Sequence, residues 1–251
     1  MVERSPFGVR LWRLLAYRRL LLETSIEDMA AALARDAGVP SLDLDAVIKG
    51  AEPSPELLRL LGPALGIRTA DMFVIAGLPV PDELAPAGPT SPWDVREIIR
   101  TAVKMTPEQR RRLNESIRSL PVEHRTDPMP TDGYPEGPGA LMLRLARNRN
   151  IRPWCAQILY EVGGGPYVSA STVAMLGPGK TVITPQYVTA FAHLLGYTPG
   201  DMVALAGVGP AVEDAQVHPA CAEIAALAWD ARRLTSDQIA HVVRATTTHS
   251  D

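Results

Sequence analysis

A chain of 251 residues with 46% hydrophobic and 21% charged side chains has the make-up of one or two globular domains with enough apolar mass for real cores. Its net charge of −3 excludes a nucleic-acid binder that works by bulk basicity. Aromatic content of 5%, beside abundant Ala, Leu, Arg and Pro, favours helices over sheets.

The predicted elements begin with an amphipathic helix in which Val9, Trp12, Leu15 and Ala16 share a stripe, with arginines opposite. Thr24 or Ser25 caps a second helix that carries Glu27 and Asp28 in its first turn, where the helix dipole favours acids. Met29, Ala30 and Leu33 face inward, and Gly38 and Pro40 end it. Ser41 caps a short third helix through Leu44, Val47 and Ile48, closed by Gly50. Pro53 and Pro55 open a fourth with Leu57, Leu58, Leu61 and Leu65 inside, and a fifth runs from Ala70 to Ala76, stopped by Gly77. After a Pro/Gly-rich stretch over 78–92 comes a helical hairpin. Its first helix spans about 93–104, and its second starts at Thr106-Pro107-Glu108, a cap followed by proline at the first helical position. A second Pro/Gly-rich stretch, 127–139, reads as a linker.

The rest of the chain repeats this order. GIRTADMFVIAGL (66–78) returns as GYTPGDMVALAGV (196–208), and PELLRLLGPAL (55–65) returns at the same offset as PQYVTAFAHLL (185–195). VREIIRTAVKMTPEQRRRL (95–113) pairs with IAALAWDARRLTSDQIAHV (224–242) at an offset shorter by one. A repeat of this length sets an architecture before any single residue is weighed. The expected organisation is all-α: a five-helix module over 1–84, a hairpin over 91–127, a linker over 128–138, a second module over 139–210 and a second hairpin over 218–246.

Five short helices in this order resemble the Cro/repressor-type helix-turn-helix fold of the Xre-like family. The best local match is YVSASTVAMLGPG (167–179), which is similar to that family's turn and recognition helix. The resemblance puts Val168 at the buried turn position, Ser169 at the cap, Ser171 and Thr172 on the groove face, Val173 and Leu176 in the core, and Gly179 at the stop. It implies a transcriptional regulator with double-stranded DNA as partner. Residues 137–210 form the one positively charged stretch, with five basic and two acidic side chains. The expected DNA-binding set is Arg147, Arg149, Arg152, Ser169, Ser171, Thr172 and Lys180, the cations supplying the salt-dependent term and the hydroxyls donating to phosphate or base edges.

The first module departs from the pattern. Leu42 and Asp43 stand where Ser171 and Thr172 stand, and Asp45 adds a second acid, so carboxylates would face a groove lined by phosphate. Both modules also lengthen the turn. Five residues lie between Leu33 and Val39, which a longer second helix explains, whereas the eight between Leu159 and Val168 include Gly163, Gly164 and Gly165 and suggest a looped turn.

Other signals carry less. AMLGPGKT (174–181) fits a loose phosphate-loop pattern without the strand that chemistry requires. The five histidines are dispersed, with no metal-ligand spacing and no recognisable catalytic set, so neither an enzyme nor a cofactor or metal is expected. Trp12, Trp93, Trp154 and Trp229 are expected to fill helix interfaces. Cys155 and Cys221 lie in apolar-periodic stretches and are expected as buried thiols. No apolar run reaches the ~18 residues of a membrane span, and Arg10, Arg13, Arg18 and Arg19 interrupt any signal-peptide pattern, so a cytoplasmic protein is expected. The competing reading is an interaction scaffold that keeps the fold without DNA binding and uses the hairpins for a protein partner or self-association.

Overall fold

A computed structural model describes residues 6–86, 92–123, 132–152, 156–212 and 215–247. Among them lie fourteen helices and no strands, so the chain is all-α. Trp154 and Cys155 lie outside the described residues, as does the side chain of Trp93.

The first lobe holds α1 (Pro6–Leu22), α2 (Ile26–Ala37), α3 (Ser41–Ile48), α4 (Pro55–Ala64) and α5 (Thr69–Ala76). Local chemistry sets these bounds. The Ser25 hydroxyl accepts the Asp28 N–H at the start of α2, and Gly38, at φ 68°, ends it in the left-handed region that only glycine adopts without strain. Ser54 caps α4 in the same way, and Leu58 and Leu61 are wholly buried beneath α5, each worth about 1.5–3 kcal/mol relative to exposure. The second helix therefore runs to Ala37, and three residues form the turn into α3, as the Leu33–Val39 spacing suggests.

The second lobe comprises α8 (Pro138–Arg147), α9 (Ala156–Glu161), α10 (Ala170–Ala174), α11 (Pro185–Leu195) and α12 (Pro199–Ala206). A third layer is made by the hairpins α6 (Pro92–Val103) with α7 (Pro107–Ser119), and α13 (Cys221–Ala231) with α14 (Ser236–Thr247). Each helix of one hairpin packs on both helices of the other, through a core that includes Ile98, Ile117, Ile224 and Leu227. Arg110–Glu223 (2.5 Å), with the arginine buried, and Arg118–Asp230 (2.7 Å) tie the hairpins together. The faces that the scaffold reading would offer to a partner are thus spent largely on each other.

Helix starts follow the spacing of the sequence repeat. Pro55 and Thr69, which open α4 and α5, return at that spacing as Pro185 and Pro199, which open α11 and α12. Pro92 and Pro107, at the starts of α6 and α7, return one residue short of it as Cys221 and Ser236, at the starts of α13 and α14. The lobes meet through two helix pairs, α1 on α12 and α5 on α8, so the first helix of each lobe packs on the fifth helix of the other.

This crossing alters the expected stripe of α1. Phe7, Leu11, Leu14 and Leu15 are the buried set, while Trp12 is 41% exposed. Packed on two sides, α1 also buries cations: Arg10 is 6% exposed, donating to the Ile75 carbonyl at 2.6 Å and to Glu136 at 2.9 Å. Close backbone approach fixes the same helix against α3. A Cβ on Gly8 would sit 2.3 Å from the Val47 carbonyl oxygen, and a Cβ on Gly139 in α8 would sit 2.0 Å from that of Leu176, beyond α10. Both positions require glycine.

Cys221 is buried as expected, and burial pushes its thiol up to about 11. No helix among the described residues is long and apolar enough to cross a membrane.

Candidate functional site

The predicted groove surface centres on α10. Its Ser169 cap is present, the hydroxyl accepting the Thr172 N–H at 3.2 Å. That oxygen also contacts the Ser171 hydroxyl at 2.7 Å and the Thr172 hydroxyl at 2.9 Å. A hydroxyl offers one donor and two acceptor positions, so these contacts fill Ser169, which is a cap rather than a phosphate donor. Ser171 is exposed, Thr172 half-buried, and Arg152 and Lys180 are exposed on the same lobe. Val173 and Leu176 are buried and Val168 packs on the core, in the positions the resemblance gives them.

One expectation for this surface needs correction. The helix is five residues long rather than reaching to Gly179, because residues 175–179 form turns in which the Met175 carbonyl accepts the N–H groups of Lys180 and Thr181. The turn before it is an eight-residue loop, 162–169, as the glycine run suggests. Its glycines have a packing reason: a Cβ on Gly163 would meet the Ala190 carbonyl at 2.5 Å, and one on Gly165 the Ala190 Cβ at 2.7 Å. The loop thus lies flat against α11. With the end of α9 it presents an aromatic pair that sequence reasoning misses, Tyr160 on the helix and Tyr167 in the loop, edge to face with centroids 5.3 Å apart and both exposed. Phenolic hydroxyls at this position add two donors suited to phosphate.

The basic set is redistributed. Arg149 is fully buried and cannot meet a phosphate. Its guanidinium forms a two-point pair with Asp71 of the first lobe (2.7 and 3.1 Å) and donates to the Leu145 and Leu195 carbonyls, each at 2.8 Å. Arg147 donates to Asp132 at 3.3 Å. Arg144 also donates to Asp132 and to Glu136, in a segment expected to be plain linker. Burial is the largest single influence and opposes both carboxylates in their charged forms, but the hydrogen bonds and charge of Arg144, joined by the Tyr134 N–H and Arg147 at Asp132 and by Arg10 at Glu136, together hold both below their usual range. Of the four cations expected at the groove, Arg152 and Lys180 are the two that face solvent.

Arg149 belongs to a second constellation, between the lobes. Arg18, near the end of α1, forms its own two-point pair with Asp201 of α12 (2.9 and 3.0 Å) and donates to the Leu65 carbonyl at 2.8 Å. Asp71 and Asp201 occupy the same place in the sequence repeat, as do Leu65 and Leu195. Each arginine thus grips the aspartate of the other lobe and a carbonyl of its own. Around the Arg149 pair, Asn148 Nδ2 donates to Asp71 at 2.7 Å and the Tyr197 hydroxyl donates at 2.9 Å. Burial, followed by the Asp71 charge, holds the Tyr197 phenol well above its ordinary value. Arg232 reaches the same centre from α13, donating to the Asn148 carbonyl at 2.6 Å. Trp229 completes it: the guanidinium carbons of Arg232, Arg68 and Arg149 lie 4.1, 4.2 and 5.1 Å from its ring centroid. The tryptophan expected to fill an interface instead stacks cations within one.

No protein-family model matches the chain, and no curated protein or solved structure matches it either.

Proposed function

We propose that the chain is a DNA-binding transcriptional regulator in which two helix-turn-helix modules, joined in one polypeptide, stand as the halves of an internal dimer, with the second module reading DNA. The observation that carries this reading is the contrast between the outer faces of α10 and α3. Around α10 lie exposed Ser171, Arg152, Lys180, Tyr160 and Tyr167, and no carboxylate follows the cap until the helix has ended. Along α3 the exposed residues are Ser41, Leu42, Asp43, Asp45 and Ala46, with Lys49 at the C-cap, so two carboxylates stand on a face that phosphate repels. Reciprocal arginine clamps between the lobes support the internal-dimer part, since exchange of equivalent contacts is what a two-fold interface provides.

With two cations at the surface, the electrostatic term is modest, and log Kobs should fall against log salt with a slope of about −2. Fluorescence anisotropy on pooled genomic fragments across a salt series measures this directly. Binding tighter than ~10⁻⁶ M with that slope supports the reading, and weaker, salt-insensitive association defeats it. The scaffold reading draws on the five-residue α10, the buried Arg149, and a groove of about 460 Å³ between α7 and α14 that Leu113, Leu120 and Val242 line. It gains if the anisotropy series is flat.

A further inference from the structure

Between the two clamps lies a cleft of about 170 Å³, lined by Arg18, Arg68, Asp71, Arg149, Tyr197 and Asp201 among others. It opens where α5 and α12 begin, so the positive ends of two eight-residue helices meet there. Its charges do not balance. Asp201 is matched by Arg18, and Asp71 by Arg149, which leaves Arg68 unmatched. Asp230, the other carboxylate whose charge reaches Arg68, is held by Arg118. Behind Arg68 stands Arg232, stacked on the same indole and bonded to neutral acceptors, the Asn148 and Leu84 carbonyls and the Asn148 amide oxygen. Among the described residues, Asp71 is the one carboxylate hydrogen-bonded to any of the three arginines around Trp229.

Two nitrogens in this cluster lack acceptors: Nη1 of Arg68 and Nε of Arg149, both buried and both belonging to side chains that line the cleft. A buried donor without an acceptor is costly, and a buried cation without a counter-charge more so. Burial, aided by the Arg149 charge, pulls the Arg68 guanidinium down to about 10, and burial pulls Arg232 down to about 9; both charged forms are under-compensated. The cleft has room for a small ion and a few waters, a water's share of liquid volume being roughly 30 Å³.

We infer that this inter-lobe cleft is a binding site for a small oxyanion, a phosphate- or carboxylate-bearing ligand held by the Arg68 guanidinium fork at the converging starts of α5 and α12. A planar oxyanion edge matches that fork, and the ligand supplies the missing negative charge. Because the cleft is walled by both lobes, occupancy ties them together. The inference stands apart from DNA binding: a chain that takes the anion but no DNA keeps this site and loses the regulator.

The test is titration of the full chain with sodium phosphate and, separately, sodium succinate, at pH 7.5 and an ionic strength held constant with sodium chloride. Calorimetry and thermal melting are read together. Saturable binding of one ion per chain is expected, with Tm raised by roughly 5 °C or more once the ligand exceeds Kd about 100-fold. Saturation by phosphate alone assigns phosphoryl ligands, and by succinate alone carboxylate ligands; either supports the site. Arg68→Gln removes the fork and should weaken binding at least tenfold, Arg68→Lys keeps the charge and should weaken it less, and Lys49→Gln, on α3, should leave it unchanged. Arg68 caps α5 through its backbone carbonyl, which substitution keeps, and its side chain makes no hydrogen bond that holds the fold, so these variants should keep wild-type circular dichroism. Phosphate also stabilises proteins by exclusion from their surface, without saturating. A non-saturating rise shared equally by Arg68→Gln, or no difference from chloride, overturns the inference.

Discussion

The two inter-lobe clamps are made of equivalent parts and sit in different surroundings. Arg149 and Asp71 are 0% and 1% exposed, and Asn148, Tyr197 and Trp229 close around them. Arg18 and Asp201 are 26% and 11% exposed and carry no such shell of side chains. The same chemistry therefore has two energetic meanings. In water's reach, an ion pair contributes about 0–1 kcal/mol. Away from water, neither partner can be removed without stranding a charge, and the pair fixes how the lobes meet. The contrast extends outward: the first lobe supplies the carboxylate at the buried clamp and carries acids on α3, while the second supplies the buried Arg149 and keeps exposed Arg152 and Lys180 around α10.

The largest way to break this comparison is Asp71→Ala. It strands the Arg149 guanidinium in the core and should cost about 3–5 kcal/mol in urea unfolding. An equal and smaller loss for Asp71→Ala and Asp201→Ala would show that the clamps are equivalent after all. Next comes Gly139→Ala, where the new methyl meets the Leu176 carbonyl at 2.0 Å and α8 must shift, costing about 1–3 kcal/mol; Gly8→Ala, at 2.3 Å from Val47, should behave alike. Tolerance of alanine at either glycine would contradict the close approach. Asp201→Ala should be milder, about 1–2 kcal/mol, and partly masked at 1 M salt, since screening reaches a part-buried pair more than a fully buried one. Smallest in stability is Asp43→Thr, an exposed change on α3 that should move unfolding by less than about 0.5 kcal/mol. It sharpens the comparison through DNA instead: removing the acid should strengthen non-specific binding if the first lobe lies near the duplex, and leave it unchanged if only α10 does.

Much of the helical order is legible in the sequence. Ser25, Ser54, Thr106 and Ser169 cap helices where their spacing to the apolar residues demands it, and Gly38 and Gly77 end them. The capping box at Thr106 is complete, with Gln109 returning a bond to the cap N–H. The site is less legible, for a physical reason. Charged side chains are taken as solvent-facing unless a partner is known, and a partner in the other half of the chain leaves no periodic mark. Sequence reasoning therefore places Arg149 at the groove and gives α1 a stripe that keeps its arginines outside. A usable signal exists in the repeat itself. Asp71 and Asp201 stand at one position in two otherwise apolar octets, TADMFVIA and PGDMVALA, and a carboxylate kept in both interiors requires two buried donors. Arg18 and Arg149 are the candidates, because they are as far apart in the chain as Gly8 and Gly139. That match is hidden because the first helices of the two lobes share little else.

The lobes differ in the charge they offer to solvent, and the most direct measurement of that asymmetry is DNA affinity by fluorescence anisotropy for paired variants. Arg152→Gln with Lys180→Gln in the second lobe should abolish most of the salt-dependent binding and flatten the slope of log Kobs against log salt from about −2 towards zero. Lys49→Gln in the first lobe should leave affinity within about twofold. Loss of binding through Lys49, with the double variant unaffected, would contradict the account.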